Sequence, residues 1–149
     1  MRRLVLLFGL GLAACAAPAA PPAGARPDLG REWVEAGGYR WPPGHGFDAP
    51  AAFLVLPPGV LLDRFGGEGG RFFSPKGAAF RARALPSVCR DLPYAAYRVL
   101  APLPVRIGAA LPWFGEPGGA TQVMTDATAA QLLADGVLER LPADAAPCP

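Results

Sequence analysis

Short apolar runs, each closed by glycine or proline, recur through the interior of this 149-residue chain. Runs of four to seven residues bounded by turn residues read as strands rather than helices. Residues 53–56 form one such run, stopped by Pro57-Pro58-Gly59. Residues 60–65 restart the pattern, and residues 71–73 answer them across the glycine-rich stretch 66–70, which predicts a hairpin. Residues 94–100 and 105–110 are two further strands, split by Pro102 and Pro104, and residues 121–124 make another after Gly118-Gly119. A single helix stands out over residues 129–134, with Thr125 or Asp126 as its cap and Gly136 ending it in a left-handed turn. Residues 137–141 then close the pattern as a last strand. The expected fold class is α+β: a small single domain, mostly β-sheet, with one clear C-terminal helix and long loops shaped by proline and glycine.

The two ends follow different rules. Residues 1–14 carry Arg2 and Arg3, an apolar run and then small residues, the layout of a signal peptide. Its apolar run falls short of the roughly 20 residues that cross a bilayer. Leu12-Ala13-Ala14-Cys15 has the form of a lipobox, which makes Cys15 the candidate lipidation site and first mature residue. Cleavage a little later, as in an ordinary secreted protein, is the alternative. Residues 15–29 are rich in alanine and proline and read as a linker. One domain is expected over residues 30–142, followed by a short C-terminal tail, 143–149. The chain is thus expected to be exported, to the cell envelope as a lipoprotein or to the medium, and to meet a membrane only through a lipid anchor.

Charge changes the picture by its distribution. Without Arg2 and Arg3, the 14 basic residues drop to match the 12 acidic ones, so the mature chain is formally neutral. Between Asp63 and Arg106, however, eight basic residues face three acids, a local field that favours an anionic ligand. Nucleic acid as a partner is not expected, because a duplex binder carries a denser basic face and a net positive charge. Besides Cys15 the chain has Cys89 and Cys148, and two thiols in an exported chain predict one disulfide between them. The single histidine, His45, and these scattered cysteines make no metal-binding spacing.

The candidate chemistry concentrates in Leu61-Leu62-Asp63-Arg64-Phe65 with its glycine-rich turn, in Arg83-Ala84-Leu85-Pro86, and in the run from Pro112 to Gln122, PWFGEPGGATQ. Arginine forks bind phosphate oxygens in pairs, rings stack on planar ligands, and a carboxamide donates and accepts at once. Added to these are Trp41-Pro42-Pro43-Gly44 with Gly46-Phe47, Phe73-Ser74-Pro75 with Gly77 and Phe80, and residues 132–139. Taken in their order along the chain, the six pieces, spanning about Tyr39 to Leu141, resemble the NAD glycohydrolase domain of the tuberculosis necrotizing toxin family. The resemblance implies hydrolysis of NAD or NADP to nicotinamide and the ADP-ribose part, a toxin-like role, no metal, no cofactor, and an immunity protein as a partner of some members. It marks Arg64, Arg83 and Gln122 as the catalytic candidates. Asp63, Phe65, Phe72 and Trp113 are the candidate substrate-binding residues. Relative to the toxin pattern a histidine is missing around Tyr94-Ala95-Ala96-Tyr97, and Phe72 stands where a tyrosine is expected. A non-catalytic envelope lipoprotein module that binds a nucleotide or a protein is the alternative function. His45, between two glycines, is expected to face solvent or to serve as a backbone partner.

Overall fold

The structure is a computed structural model and describes residues 19–149; the leader and Cys15 lie outside the described residues. A small hairpin, β1 (Val34–Glu35) and β2 (Gly38–Tyr39), precedes the main sheet. That sheet contains β3 (Ala52–Leu56), β4 (Leu61–Phe65), β5 (Phe72–Pro75), β6 (Tyr94–Val99), β7 (Leu103–Ala109), β8 (Thr121–Met124) and β9 (Leu138–Arg140). Their spatial order is β3-β7-β8-β5-β4-β6-β9, and every pairing is antiparallel. The helix α1 (Ala129–Ala134) connects β8 to β9. The α+β domain expected from the pattern is what the chain forms.

Side chains from alternate strand positions make two apolar clusters. The larger gathers Leu62, Phe73, Tyr97, Val99 and Val123 from the sheet with Ala129 and Leu132 from α1. Full burial of a side chain of this size stabilises by about 1.5–3 kcal/mol. The smaller gathers Phe65, Phe80 and Cys89, with Leu92, Tyr94, Ala146 and Cys148 packed against it. The two-residue period of β4 explains the division: Leu62 goes to the first cluster and Phe65 to the second.

Two local expectations are corrected. Thr128, rather than Thr125 or Asp126, caps α1: its hydroxyl accepts from the Gln131 amide, while the Gln131 side chain accepts from the Thr128 amide. Thr125 is buried and its hydroxyl is already engaged with the carbonyls of Arg71 and Ala127. Pro104, expected with Pro102 in the break between two strands, sits inside β7. There it pairs with Val55, and the partner on the other side, β8, joins only from Arg106 onward. A proline is tolerated where one flank of the ladder is unpaired.

The disulfide expectation holds, since Cys89 and Cys148 are bonded with their Cα atoms 5.7 Å apart. It draws the chain's last residues onto the smaller cluster, and Lys76 Nζ adds an ion pair to Asp144 Oδ2 at 2.6 Å. At the other end, residues upstream of 30 also lie on the domain. Ala25 bridges to Ser87, and the Arg26 amide donates to the Pro86 carbonyl at 3.0 Å. Among the described residues no helix is long and apolar enough to cross a membrane, and no three His, Cys, Asp or Glu side chains gather closely enough to hold a metal.

Candidate active site

The end of β4, the start of β5 and the 3-10 turn Arg81–Arg83 surround one open cleft of about 420 Å³. That size falls within the ~300–1,000 Å³ range of small-molecule sites. Arg64, Arg83, Gln122, Phe65, Phe72 and Trp113 all line it. Three elements far apart in sequence therefore deliver both arginines and the carboxamide to one place.

Arg64 leaves β4 and turns its guanidinium into the following glycine-rich loop. Its Nη2 donates to the Gly67 carbonyl at 2.7 Å, its Nη1 to Phe72 at 3.0 Å and its Nε to Gly66 at 3.4 Å. A Cβ on Gly70 would meet the Arg64 guanidinium, which would have to move from its place in the loop. Burial pulls the Arg64 pKa below the usual arginine value, yet an arginine stays charged at any physiological pH. Three of its five N–H bonds serve the loop.

Arg83 is held differently. Its Nε and Nη2 both donate to the Ala78 carbonyl, at 3.1 and 2.8 Å, and its Nη1 lies 2.6 Å from Asp63 Oδ1. That last approach is off the N–H axis, so it is an ion pair rather than an aligned hydrogen bond. The Phe65 ring lies under the Arg83 guanidinium at 5.0 Å, a cation–π arrangement. Asp63, expected beside the substrate, is not in the cleft. It is 0 % exposed, and its other oxygen accepts from the Gly77 amide at 2.8 Å and the Tyr94 hydroxyl at 2.9 Å. Asp63 and Arg64 are neighbours on β4 and face opposite ways, but Phe65 shares the face of Asp63 and still lines the cleft, so it is burial among Gly77, Tyr94 and Arg83 that keeps Asp63 out. Burial first, then the bond and charge of Asp63, push the Tyr94 hydroxyl up to about 12.

Gln122, on β8, donates from Nε2 to the His45 carbonyl at 2.9 Å. A carbonyl partner fixes the amide's orientation, so Oε1 remains as the acceptor. His45 is thus a backbone partner, and the residue also lines the cleft. It takes a left-handed conformation, with φ 60°. Trp41, 58 % exposed, is a lining ring that sequence reasoning left out of the site. Its run, Trp41-Pro42-Pro43-Gly44, was a visible signal, but nothing local said that it would meet residues 80 positions away. Phe72 keeps 39 % of its surface open, whereas Phe65 is buried and supports Arg83. Trp113 ties its ring to the Arg40 carbonyl through Nε1 at 2.8 Å.

A model of the family described as tuberculosis necrotizing toxin matches residues 55–141, more than half of the chain. The chain belongs to that family. Arg64, Arg83 and Gln122 all fall inside the matched span. A relative from Aspergillus fumigatus, the conidial surface nicotinamide adenine dinucleotide glycohydrolase nadA, is 36% identical over 118 residues. This alignment takes in 70% of the chain but only 50% of the fungal protein, so the chain spans half the length of that family member. Among solved structures, the tuberculosis necrotizing toxin complexed with its immunity factor IFT superposes with a TM-score of 0.56 at 25% identity. The match covers 68% of this chain and 61% of the toxin chain.

Proposed function

We propose that the chain is an exported NAD(P) glycohydrolase, cleaving the nicotinamide–ribose bond to give nicotinamide and the ADP-ribose moiety, in a toxin-like role. The observation that carries this reading is the meeting of Arg64, Arg83 and Gln122 in one cleft, in a chain of this family. The pyridinium of NAD departs as a neutral molecule, so the reaction needs no carboxylic acid to protonate the leaving group, unlike ordinary glycosides with their paired carboxylates. What it needs is a grip on the pyrophosphate, a held ribose and an oriented water.

The residues divide these tasks by their chemistry. Arg64 keeps two N–H donors without a protein acceptor and Arg83 three, on the arginine forks that suit a phosphate. Gln122 presents Oε1 as an acceptor for a ribose hydroxyl or the attacking water, since its Nε2 is held by the His45 carbonyl. Phe72 and Trp113 offer ring faces for the planar ends of the dinucleotide. Asp63 takes no direct part, acting behind Arg83. No metal or prosthetic group enters this scheme. The leader supports export, and Leu12-Ala13-Ala14-Cys15 supports a lipid anchor at Cys15. An immunity protein covering the cleft is the partner this reading calls for, by likeness to the toxin solved with its immunity factor.

The test is release of nicotinamide and a rise in etheno-NAD fluorescence with purified, oxidised protein. Arg83→Ala and Gln122→Ala are each expected to lower kcat/KM about 100-fold or more, the scale of losing charge-assisted or transition-state contacts. Calorimetric binding of NAD with no nicotinamide formed would replace this reading with that of a nucleotide-binding module, and neither binding nor turnover would end both.

A further inference from the structure

A second buried carboxylate, Glu116, lies outside the lining of the cleft. Glu116 belongs to the loop that carries Trp113, and its side chain is only 7% exposed. Two arginines from different parts of the chain hold it. Arg81 Nε donates to Oε2 at 2.8 Å, and Arg26 Nη1 pairs with Oε1. Arg26 reaches further into the same loop, where its Nη2 donates to the Phe114 carbonyl at 2.8 Å. Phe114 is buried and holds a left-handed φ of 53°, a conformation a bulky residue keeps only where its surroundings impose it.

Each anchor of this clamp is attached to a wall of the cleft. Arg81 opens the 3-10 turn that ends at Arg83 and runs into Ala84 and Leu85, which also line the cleft. A backbone bond from the Ala120 amide to the Ala82 carbonyl, 2.9 Å, ties the same two segments. Phe114 packs edge-on against Trp41 at 5.4 Å and Trp33 at 5.8 Å, and Trp33 lies 4.9 Å from Trp113. Arg26 belongs to none of these segments. It comes from the alanine- and proline-rich stretch, and it lies upstream of the family match at 55–141. Its Nε is also within 3.3 Å of Asp28 Oδ1, so Arg26 and Arg81 are balanced by Glu116 and Asp28.

We infer that Arg26 is a positioning residue for the cleft, acting through Glu116 and the Phe114 carbonyl to fix the spacing between the Trp113 wall and the Arg83 wall. The stretch preceding the domain is then a working part of the site rather than only a spacer. This inference rests on the NAD-hydrolase reading for its kinetic readout. Its geometric readout is independent of that reading, because all three tryptophans of the chain, Trp33, Trp41 and Trp113, sit around the clamped loop.

Three variants of the full, oxidised protein test it: Arg26→Met, Arg81→Gln and Glu116→Gln, each checked for folding by far-ultraviolet circular dichroism. Arg26→Met is expected to raise the KM for NAD about tenfold while kcat changes less than about threefold, the pattern of lost binding geometry rather than lost chemistry. Acrylamide quenching of tryptophan emission should rise in parallel. Arg26→Met combined with Glu116→Gln should be no worse than the weaker single variant, because the residues act as one unit. The exposed Arg81→Gln, which leaves Arg26 on Glu116, should give a smaller effect of the same kind and serves if Arg26→Met does not fold. Folded Arg26→Met protein with unchanged KM and unchanged quenching overturns the inference, as does a loss of kcat alone. If the unaltered protein hydrolyses no NAD, the hydrolase reading fails by itself, and the quenching comparison alone decides the clamp.

Discussion

The arginine wall of the cleft stands on β4 and the turns beside it, whereas the ring wall hangs from loops. Arg64 and Arg83 are each met by backbone carbonyls, and Arg83 also by a carboxylate that is fully buried. Trp41 is held by edge-on packing on Phe114, Trp113 by a tilted contact with Trp33 and one bond to the Arg40 carbonyl, and the loop of Trp113 by the Arg26–Glu116–Arg81 clamp. The difference follows from what each wall must hold. Buried charge is costly unless it is paired and bonded, so the arginine wall requires a dense polar scaffold. Rings lose nothing by being half exposed, so the other wall tolerates looser support.

Three measurements sharpen or break that contrast. The largest effect is expected from Asp63→Asn, which keeps an acceptor for Gly77 and Tyr94 but strips Arg83 of its counter-charge. Removing one partner of a buried pair costs about 3–5 kcal/mol, to be read from urea unfolding, and kcat/KM should fall with it. A variant as stable as the parent would mean that the Ala78 carbonyl suffices to hold Arg83. Next is Trp113→Leu, expected to raise the KM for NAD about tenfold with stability lowered by no more than about 1 kcal/mol. A stability loss as large as that of Asp63→Asn would erase the distinction between the walls.

The smallest effect belongs to Tyr94→Phe, which removes a hydroxyl from the Asp63 scaffold at a cost of about 1 kcal/mol near neutral pH. The folded state holds the Tyr94 hydroxyl at about 12, above its ordinary 10.0. A group raised in this way contributes stability that is complete below the unfolded value and is lost as pH climbs through the folded one. The parent should therefore lose stability faster than Tyr94→Phe between about pH 10 and pH 12 in equilibrium unfolding. Parallel slopes would show that Tyr94 does not sense the Asp63 carboxylate.

The strands of the main sheet were readable because most are short apolar runs with their own punctuation; β8 (Thr121–Met124) matches its expected bounds and β4 differs by one residue, whereas the β1–β2 hairpin was not read. The cap of α1 was misplaced although the sequence carried the signal: of Thr125, Asp126 and Thr128 only Thr128 has a Gln three residues on, the spacing of the capping box, while Thr125 is buried with its hydroxyl on carbonyls. In the site, Arg64, Arg83 and Gln122 were legible from the family resemblance. That Asp63 and Arg64 face opposite ways was open to the two-residue strand period, but that the cleft would take Arg64 and Phe65 and leave out Asp63 was not. Arg26 carried no signal at all, since an arginine within an alanine- and proline-rich run has the appearance of a solvated charge.

The sequence by itself determined what is local: roughly where the strands of the main sheet run, which cysteines pair once only two are available, and which residue types can grip a phosphate or stack on a ring. Those properties depend on neighbours along the chain and on side-chain chemistry. Only the tertiary structure decided which of those residues share a cleft, that Asp63 serves Arg83 from behind, and that Arg26 reaches Glu116 across 90 positions. Such pairings arise when the sheet order β3-β7-β8-β5-β4-β6-β9 folds distant segments together, and a buried charge selects its partner by distance in space.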